Sequence, residues 1–233
     1  MLRRPPGREA FPGDIFYIHS RLLERATHLN GNLGGGSLTA LPIVETQAQD
    51  ISAYIPTNII SITDGQIYLS PKLFELGWLP AIDIGMSVSR VGGKAQLAAY
   101  RKIAGNLKLA YSQSEELENF SRFGTRLDSD TQRTIDYGKN IRTIFKQPEM
   151  FPVTVPEQIL VLTALVNGVF EKIPIDQVSE AEMQIRKKHN EIPKEILDRI
   201  LSSRRLQEEE ENYLVAMAKA AVQYLTSNPH GNG

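Results

Sequence analysis

The chain has 233 residues, 41% of them hydrophobic and 23% charged, with a net charge of −1 at neutral pH. That length allows one large domain or two small ones with a real core, and the composition is that of an ordinary globular protein. The near-zero charge excludes a global field drawing the chain to nucleic acid or an anionic membrane, and the absence of cysteine excludes disulfides, thiolate chemistry and Cys-zinc sites. The short basic clusters Arg3-Arg4, Arg186-Lys187-Lys188 and Arg204-Arg205 have acids nearby and are expected on solvated helix faces. No apolar stretch reaches the roughly 18–20 residues of a membrane span. The start "MLRRPPGREA" lacks the apolar segment of a secretory signal, so a cytoplasmic location is expected.

Residues 1–12, with three prolines, read as an extended lead-in. Asp14 is a candidate N-cap for a helix bearing Ile15, Ile18, Leu22 and Ala26 on one face, with Asn30-Gly31 as its stop. The glycines of "GNLGGGS" are followed by no Lys-Ser/Thr, so they read as a flexible connector rather than a phosphate cradle. Leu38 to Val44 is a near-continuous apolar run expected to be a strand buried on both faces, although Pro42 argues against it. The segment "NIISITDGQIYLS" admits a hairpin turn at Asp64-Gly65, or a short helix ending there before a strand at Gln66–Leu69. "LPAIDIGMSV" is the third strand candidate, and the long connections favour a mostly parallel sheet.

After Gly92-Gly93 the period changes to helical. Leu97, Tyr100, Ala104, Leu107 and Tyr111 form one ridge, and "EQILVLTALVNG" predicts a buried helix ending at Gly168. The last helix starts at "EEEE", where its dipole favours acids, and carries Leu214, Met217, Ala221, Val222 and Leu225 on one face. The terminal "NPHGNG" reads as frayed. The expected organisation is therefore an α/β part over residues 1–95 and an all-α part over 96–233.

Little chemistry stands out. His19, His28, His189 and His230 show no metal-ligand spacing, no nucleophile triad is recognisable, and the G-x-x-x-x-G-K-[ST] phosphate loop is missing. No self-sufficient active site and no metal site are expected. Arg90 remains, in "SVSRVGGK" at the exit of a predicted strand. It either pairs with a nearby acid or caps a helix end, or it is presented on a turn toward an anion, which guanidinium geometry suits.

Long blocks carry a resemblance. "RRPPGREAFPGDIFYIHSRLLERA", "GGGSLTALPIVETQAQDISAYIPTNIISITDGQIYL" and "DIGMSVSRVGGKAQ" resemble the C-terminal half of the alpha subunit of rotary F-type ATP synthases, from Leu2 to about Phe170. The resemblance implies the C-terminal part of a RecA-like P-loop nucleotide-binding domain followed by a helical bundle. It implies an alternating hexamer with beta subunits around a central gamma shaft, with no nucleic acid and with the membrane reached only through the assembled complex. The location implied is peripheral, at the inner face of the cell membrane. Arg90 then looks like an arginine finger given in trans to the phosphates held by beta, worth about 10³–10⁵ in rate. Ser87 and Ser61 match positions linked to the same interface, with packing an equally open role. Phe74, Pro80, Gln147 and Glu149 match the adenine side of a non-catalytic site for ATP or ADP with Mg2+.

Two residues depart from the family pattern: Leu79 stands where an arginine is common, and Glu149 where a glutamine is usual. The wording "LPAIDIGMSVSRVGGKAQLAAYRKIAG" with "LKLAYSQSEELENFSRFGTRLD" is most like the alternate N-type branch, which is proposed to move sodium ions. The family's β-barrel, phosphate loop and magnesium-positioning strand precede the region matched, so weak or no ATP binding is expected of this chain alone. The alternative function is a remnant or interaction module that docks on an ATPase ring without supporting turnover. A catalytic subunit of a related export ATPase is disfavoured by "SVSRVGGKAQ" and "FKQPEM".

Overall fold

The secondary structure changes in kind along the chain, from short elements joined by irregular segments to long packed helices. The structure, a computed structural model, describes residues 4–121, 128–202 and 204–227. Arg3 and the expected frayed tail with His230 lie outside the described residues. Two units separate by internal contacts: Met1–Tyr68 with Met86–Val91, and Leu69–Gly85 with Gly92–Gly233.

In the first unit, helix α1 (Ile15–Leu23) packs on α2 (Tyr54–Ile62). Strands β1 (Gly65–Leu69) and β2 (Ile82–Ser89) form a two-stranded sheet, of which residues 65–68 and 86–89 fall in this unit and 69 and 82–85 in the other. The Arg90 N–H donates to the Asp64 carbonyl at 2.8 Å and the Ser70 N–H to the Ala81 carbonyl at 2.8 Å. The start of β1 thus faces the end of β2, so the pair is antiparallel. Gly65 is required here: at φ +141° it lies so close to Val88 that a Cβ would sit 2.1 Å from the Val88 carbonyl oxygen.

The second unit holds the core. Helix α3 (Pro71–Glu75) starts on Ser70, whose hydroxyl accepts the Leu73 N–H, with Pro71 in the first turn. Then come α4 (Ala98–Ser121), α5 (Ser129–Ile144), α6 (Val155–Val166), α7 (Val178–Lys187), α8 (Lys194–Ile200) and α9 (Glu208–Ser227). Asp128 caps α5 by accepting the Thr131 N–H at 2.7 Å. At the start of α6 the Thr154 N–H and hydroxyl both donate to Glu157, at 2.7 and 2.6 Å. The α6 helix is apolar nearly all round because it packs against α4, α7, α8 and α9, with Ile159, Leu160, Ala164 and Leu165 fully buried. Where α4 meets α5, a Cβ on Gly138 would fall 2.0 Å from Ser114 Oγ, so only glycine permits that approach.

The helical expectations hold: Leu107, Tyr111, Leu214, Val222 and Leu225 are buried, and Gly168 follows α6 at φ +71°. Three expectations in the first unit are corrected. Leu38–Val44 is not a strand, and Leu41 and Ile43 are 81% and 98% exposed. A doubly buried strand needs flanking strands, and the only sheet among the described residues is β1–β2. The sheet is antiparallel rather than mostly parallel, and "NIISITDGQIYLS" resolves into α2 followed by β1. The first helix ends at Leu23, before its expected stop, and Asp14 makes no capping bond there because it pairs with Arg4. Asn30 instead opens a short 3-10 turn, accepting the Asn32 N–H at 2.9 Å.

Candidate functional site

Arg90 stands just beyond β2, held in place by its main-chain bond to Asp64. Its Nη1 donates to the Ser61 and Thr63 carbonyls at 3.2 and 3.1 Å. These carbonyls belong to the end of α2, where helical carbonyls lack intrahelical partners and a cation is favoured. The guanidinium therefore caps a helix, one of the two roles open from the sequence, and remains exposed. Both of these bonds use Nη1, and the residue as a whole is exposed.

The two serines expected beside it are engaged locally. Ser61 Oγ donates to the Asn58 carbonyl at 2.7 Å, inside α2. Ser87 Oγ accepts the Tyr68 N–H at 3.0 Å and so fixes the β1–β2 register. Arg90 and Ser61 are thus joined through the Ser61 main chain, whereas Ser87 supports the strand that delivers Arg90.

The adenine-side candidates lie in the helical unit. Phe74 is on α3 and 66% exposed. Pro80 follows a cis Leu79–Pro80 bond, and the Leu79 carbonyl accepts the Gln147 N–H at 3.1 Å. Gln147 Nε2 donates to the Phe151 carbonyl at 2.7 Å. Glu149 is exposed. The main-chain bond thus brings Pro80 and Gln147 together, while Phe74 lies earlier on α3, its carbonyl accepting the Gly77 N–H of the turn that leads to Pro80.

Two clefts adjoin them. One, of about 50 Å³, is lined by Leu73, Trp78, Leu79, Pro80, Tyr111 and Arg142 among others, and the second, of about 170 Å³, by Lys146, Gln147, Gln158, Glu182 and Arg186 among others. Pockets that enclose a ligand of nucleotide size run to roughly 300–1,000 Å³. Neither cleft is large enough to enclose a nucleotide. Among the described residues no group of three or more His, Asp or Glu is placed to hold a metal ion.

Sequence reasoning missed the cationic cluster at Trp78. Arg142 on α5 lies 5.7 Å from the Trp78 ring centre and 5.4 Å from that of Tyr111, and bonds Glu118 at 2.6 Å. Lys146 Nζ sits 4.2 Å from the Trp78 ring centre. The signal available was the spacing of Arg142 and Lys146, one helical turn apart. In the neighbouring cleft, burial pushes the Glu182 carboxyl above the usual carboxylate range, and its partner Arg186 offsets this only in part. Arg186 is therefore no solvated surface charge, contrary to expectation: it is partly buried against Glu182.

Residues 1–89 match the nucleotide-binding domain of the ATP synthase alpha/beta family, and residues 96–221 match the C-terminal domain of the ATP synthase alpha/beta chain. The chain is 64% identical over 222 residues to ATP synthase subunit alpha 1 of Shewanella frigidimarina, covering 95% of this chain and 43% of that protein. It is 62% identical to ATP synthase subunit alpha 1 of Chlorobium luteolum, over 96% of this chain and 44% of that protein. It is also 62% identical to ATP synthase subunit alpha 2 of Albidiferax ferrireducens, over 95% and 42% respectively. The chain spans less than half the length of these relatives.

Proposed function

The chain belongs to the ATP synthase alpha/beta family, and on that premise we propose that it is a portion of the alpha subunit of a rotary F-type ATP synthase. It gives Arg90 in trans to a catalytic site on a neighbouring beta subunit and is a regulatory partner rather than a complete enzyme. Residues 1–95 are read as the C-terminal portion of a RecA-like domain and 96–233 as the helical bundle. The assembly contains beta and a central gamma subunit, lies peripherally at the inner face of the membrane, and couples ATP turnover to proton or sodium movement. No helix among the described residues is long and apolar enough to cross a membrane. Phe74, Pro80, Gln147 and Glu149 line the base side of a non-catalytic site for ATP or ADP, with Mg2+ on the phosphates. The N-type branch is the reading of the "SVSRVGGKAQLAAYRKIAG" wording, and it implies sodium as the ion.

The observation that carries the proposal is the delivery of Arg90. A strand exit and a main-chain bond place the residue, two carbonyls hold Nη1 of the guanidinium, and the side chain stays exposed. Preorganisation of this kind is what stabilises charge on a transferring phosphoryl group. The chain is to be co-expressed with beta and gamma subunits and ATP hydrolysis measured. Arg90→Ala is expected to lower the rate by about 10³–10⁵ with assembly intact. Unchanged turnover in that variant overturns the finger role.

A second reading follows from the same bonds. Two helix-capping hydrogen bonds suffice to explain Arg90 structurally, and a module that docks on the ring without supporting turnover needs nothing more. Association with beta but no ATPase activity selects that reading.

A further inference from the structure

Trp78, the chain's sole tryptophan, sits where α3 turns back toward the cis Leu79–Pro80 bond. The turn is tight: the Trp78 N–H donates to the Leu73 carbonyl and the Gly77 N–H to the Phe74 carbonyl, both at 2.9 Å, with Gly77 at φ +70°. The indole then meets two cations from the end of α5, Lys146 at 4.2 Å and Arg142 at 5.7 Å from the ring centre. Arg142 is itself fixed by Glu118 at 2.6 Å, by Glu115 at 3.6 Å and by the Tyr111 ring. One residue further on, the Leu79 carbonyl accepts the Gln147 N–H. Two fastenings therefore run in parallel between this turn and the end of α5, one from ring to cations and one along the main chain. The main-chain bond fixes one point of the turn, and the ring–cation contacts add a second.

We propose that Trp78 is a positioning residue that, through its contacts with Lys146 and Arg142, sets Phe74 and Pro80 relative to Gln147 for an adenine base. It touches no base itself. This rests on the reading of Phe74, Pro80 and Gln147 as the base-side wall. The ring binds cations through its face, so a smaller aromatic ring preserves the contacts and an aliphatic side chain does not.

Amide exchange at Gln147 in the full chain tests the contacts without any ligand. Trp78→Ala and Lys146→Met are expected to speed that exchange roughly fivefold to tenfold, the scale of one or two lost cation–π contacts, while Trp78→Phe stays close to the parent. The bundle's melting temperature is expected to hold in all three. Unchanged exchange in Trp78→Ala overturns the proposal. So does equal loss in the Ala and Phe variants with a lowered melting temperature, which is what plain packing produces. In the assembly with beta, affinity for ADP separates the proposal from the reading beneath it. Weakening by both Phe74→Ala and Trp78→Ala, with rescue by Trp78→Phe, supports both. Weakening by Phe74→Ala alone sinks the role of Trp78 and keeps the wall. No effect of Phe74→Ala removes the wall, and with it the base-positioning role.

Discussion

In the helical unit, Ile141, Ile159, Leu160, Leu165 and Leu214 are 0% exposed, whereas in the first unit Pro56 and Asn58 are the only buried residues among those described. There Leu22, Leu33, Leu41 and Ile43 stand 67–98% exposed. Fully burying a leucine or isoleucine is worth about 1.5–3 kcal/mol, so the folding free energy of this chain is concentrated in the helices. Polar contacts between distant parts of the sequence tie the first unit: Arg90 on the end of α2, and the Tyr54 N–H on Glu9 at 3.2 Å. The difference separates two tasks. The bundle is stable by its own packing, while the unit that carries Arg90 leaves many large apolar side chains exposed.

The sharpest way to break this comparison is to delete one apolar side chain from each unit. Leu165→Ala is expected to cost about 2–5 kcal/mol, because α6 is enclosed by four helices and the cavity cannot collapse. Ile43→Ala is expected to stay within about 0.5 kcal/mol. Denaturant unfolding followed by circular dichroism measures both, and equal costs would show that the first unit has a core of its own.

Backbone approach separates the units in a second way. Gly138→Ala drives a methyl into Ser114 at the α4–α5 contact, and overpacking of this kind costs about 1–3 kcal/mol of global stability. Ser114→Gly in the same chain is expected to restore part of it, since the clash is with that side chain. Gly65→Ala meets a main-chain carbonyl at a positive φ, for a local cost of about 1–3 kcal/mol. It is expected to open the β1–β2 pairing and expose the Arg90 amide to exchange while the melting of the bundle is unchanged. A lowered melting temperature would mean that the two units unfold as one.

The sequence revealed most where a segment's own periodicity determines its burial. Helices α4, α6 and α9 were legible because each presents its apolar face from residues in one run, such as Leu214, Val222 and Leu225. Leu38–Val44 was misread because a strand is completed by partners, and apolar content alone does not supply them. Gly138 was silent, since its need for glycine comes from Ser114 on another helix. The same holds at the site. Arg90 could be picked out at a strand exit, but its capping bonds depend on where α2 ends, which the segment left open. Arg142 looked like any helix cation, and only Trp78 and Tyr111, brought from two other elements, mark it as a partner of aromatic rings.

The smallest effect expected is one of pH, and it too belongs to the bundle alone. Glu182 is 8% exposed, and burial raises its carboxyl above the usual range despite Arg186 on the same helix. Lys146 lines the same cleft, while Glu157 and His189 lie beside Arg186. At pH below the ordinary carboxylate range Glu182 is protonated both folded and unfolded, and its ionisation costs nothing. As pH rises, the unfolded chain releases the proton first, so the folded state binds more protons and stability falls across the window up to the raised value. Above that window the loss is complete and constant. Glu157 shifts the other way: burial opposes, but its bonds from Thr154 and the nearby His189 and Arg186 hold it below the usual range. Its contribution is present above the ordinary value and lost as pH falls through the lowered one, so whole-chain melting mixes the two. Subtraction isolates Glu182: the melting temperature of Glu182→Gln minus that of the parent is expected to rise from acid toward neutral pH and then level. A difference that falls with rising pH would show that the ion pair with Arg186 outweighs burial, and that even this charge in the bundle is held by its partner rather than tolerated by the core.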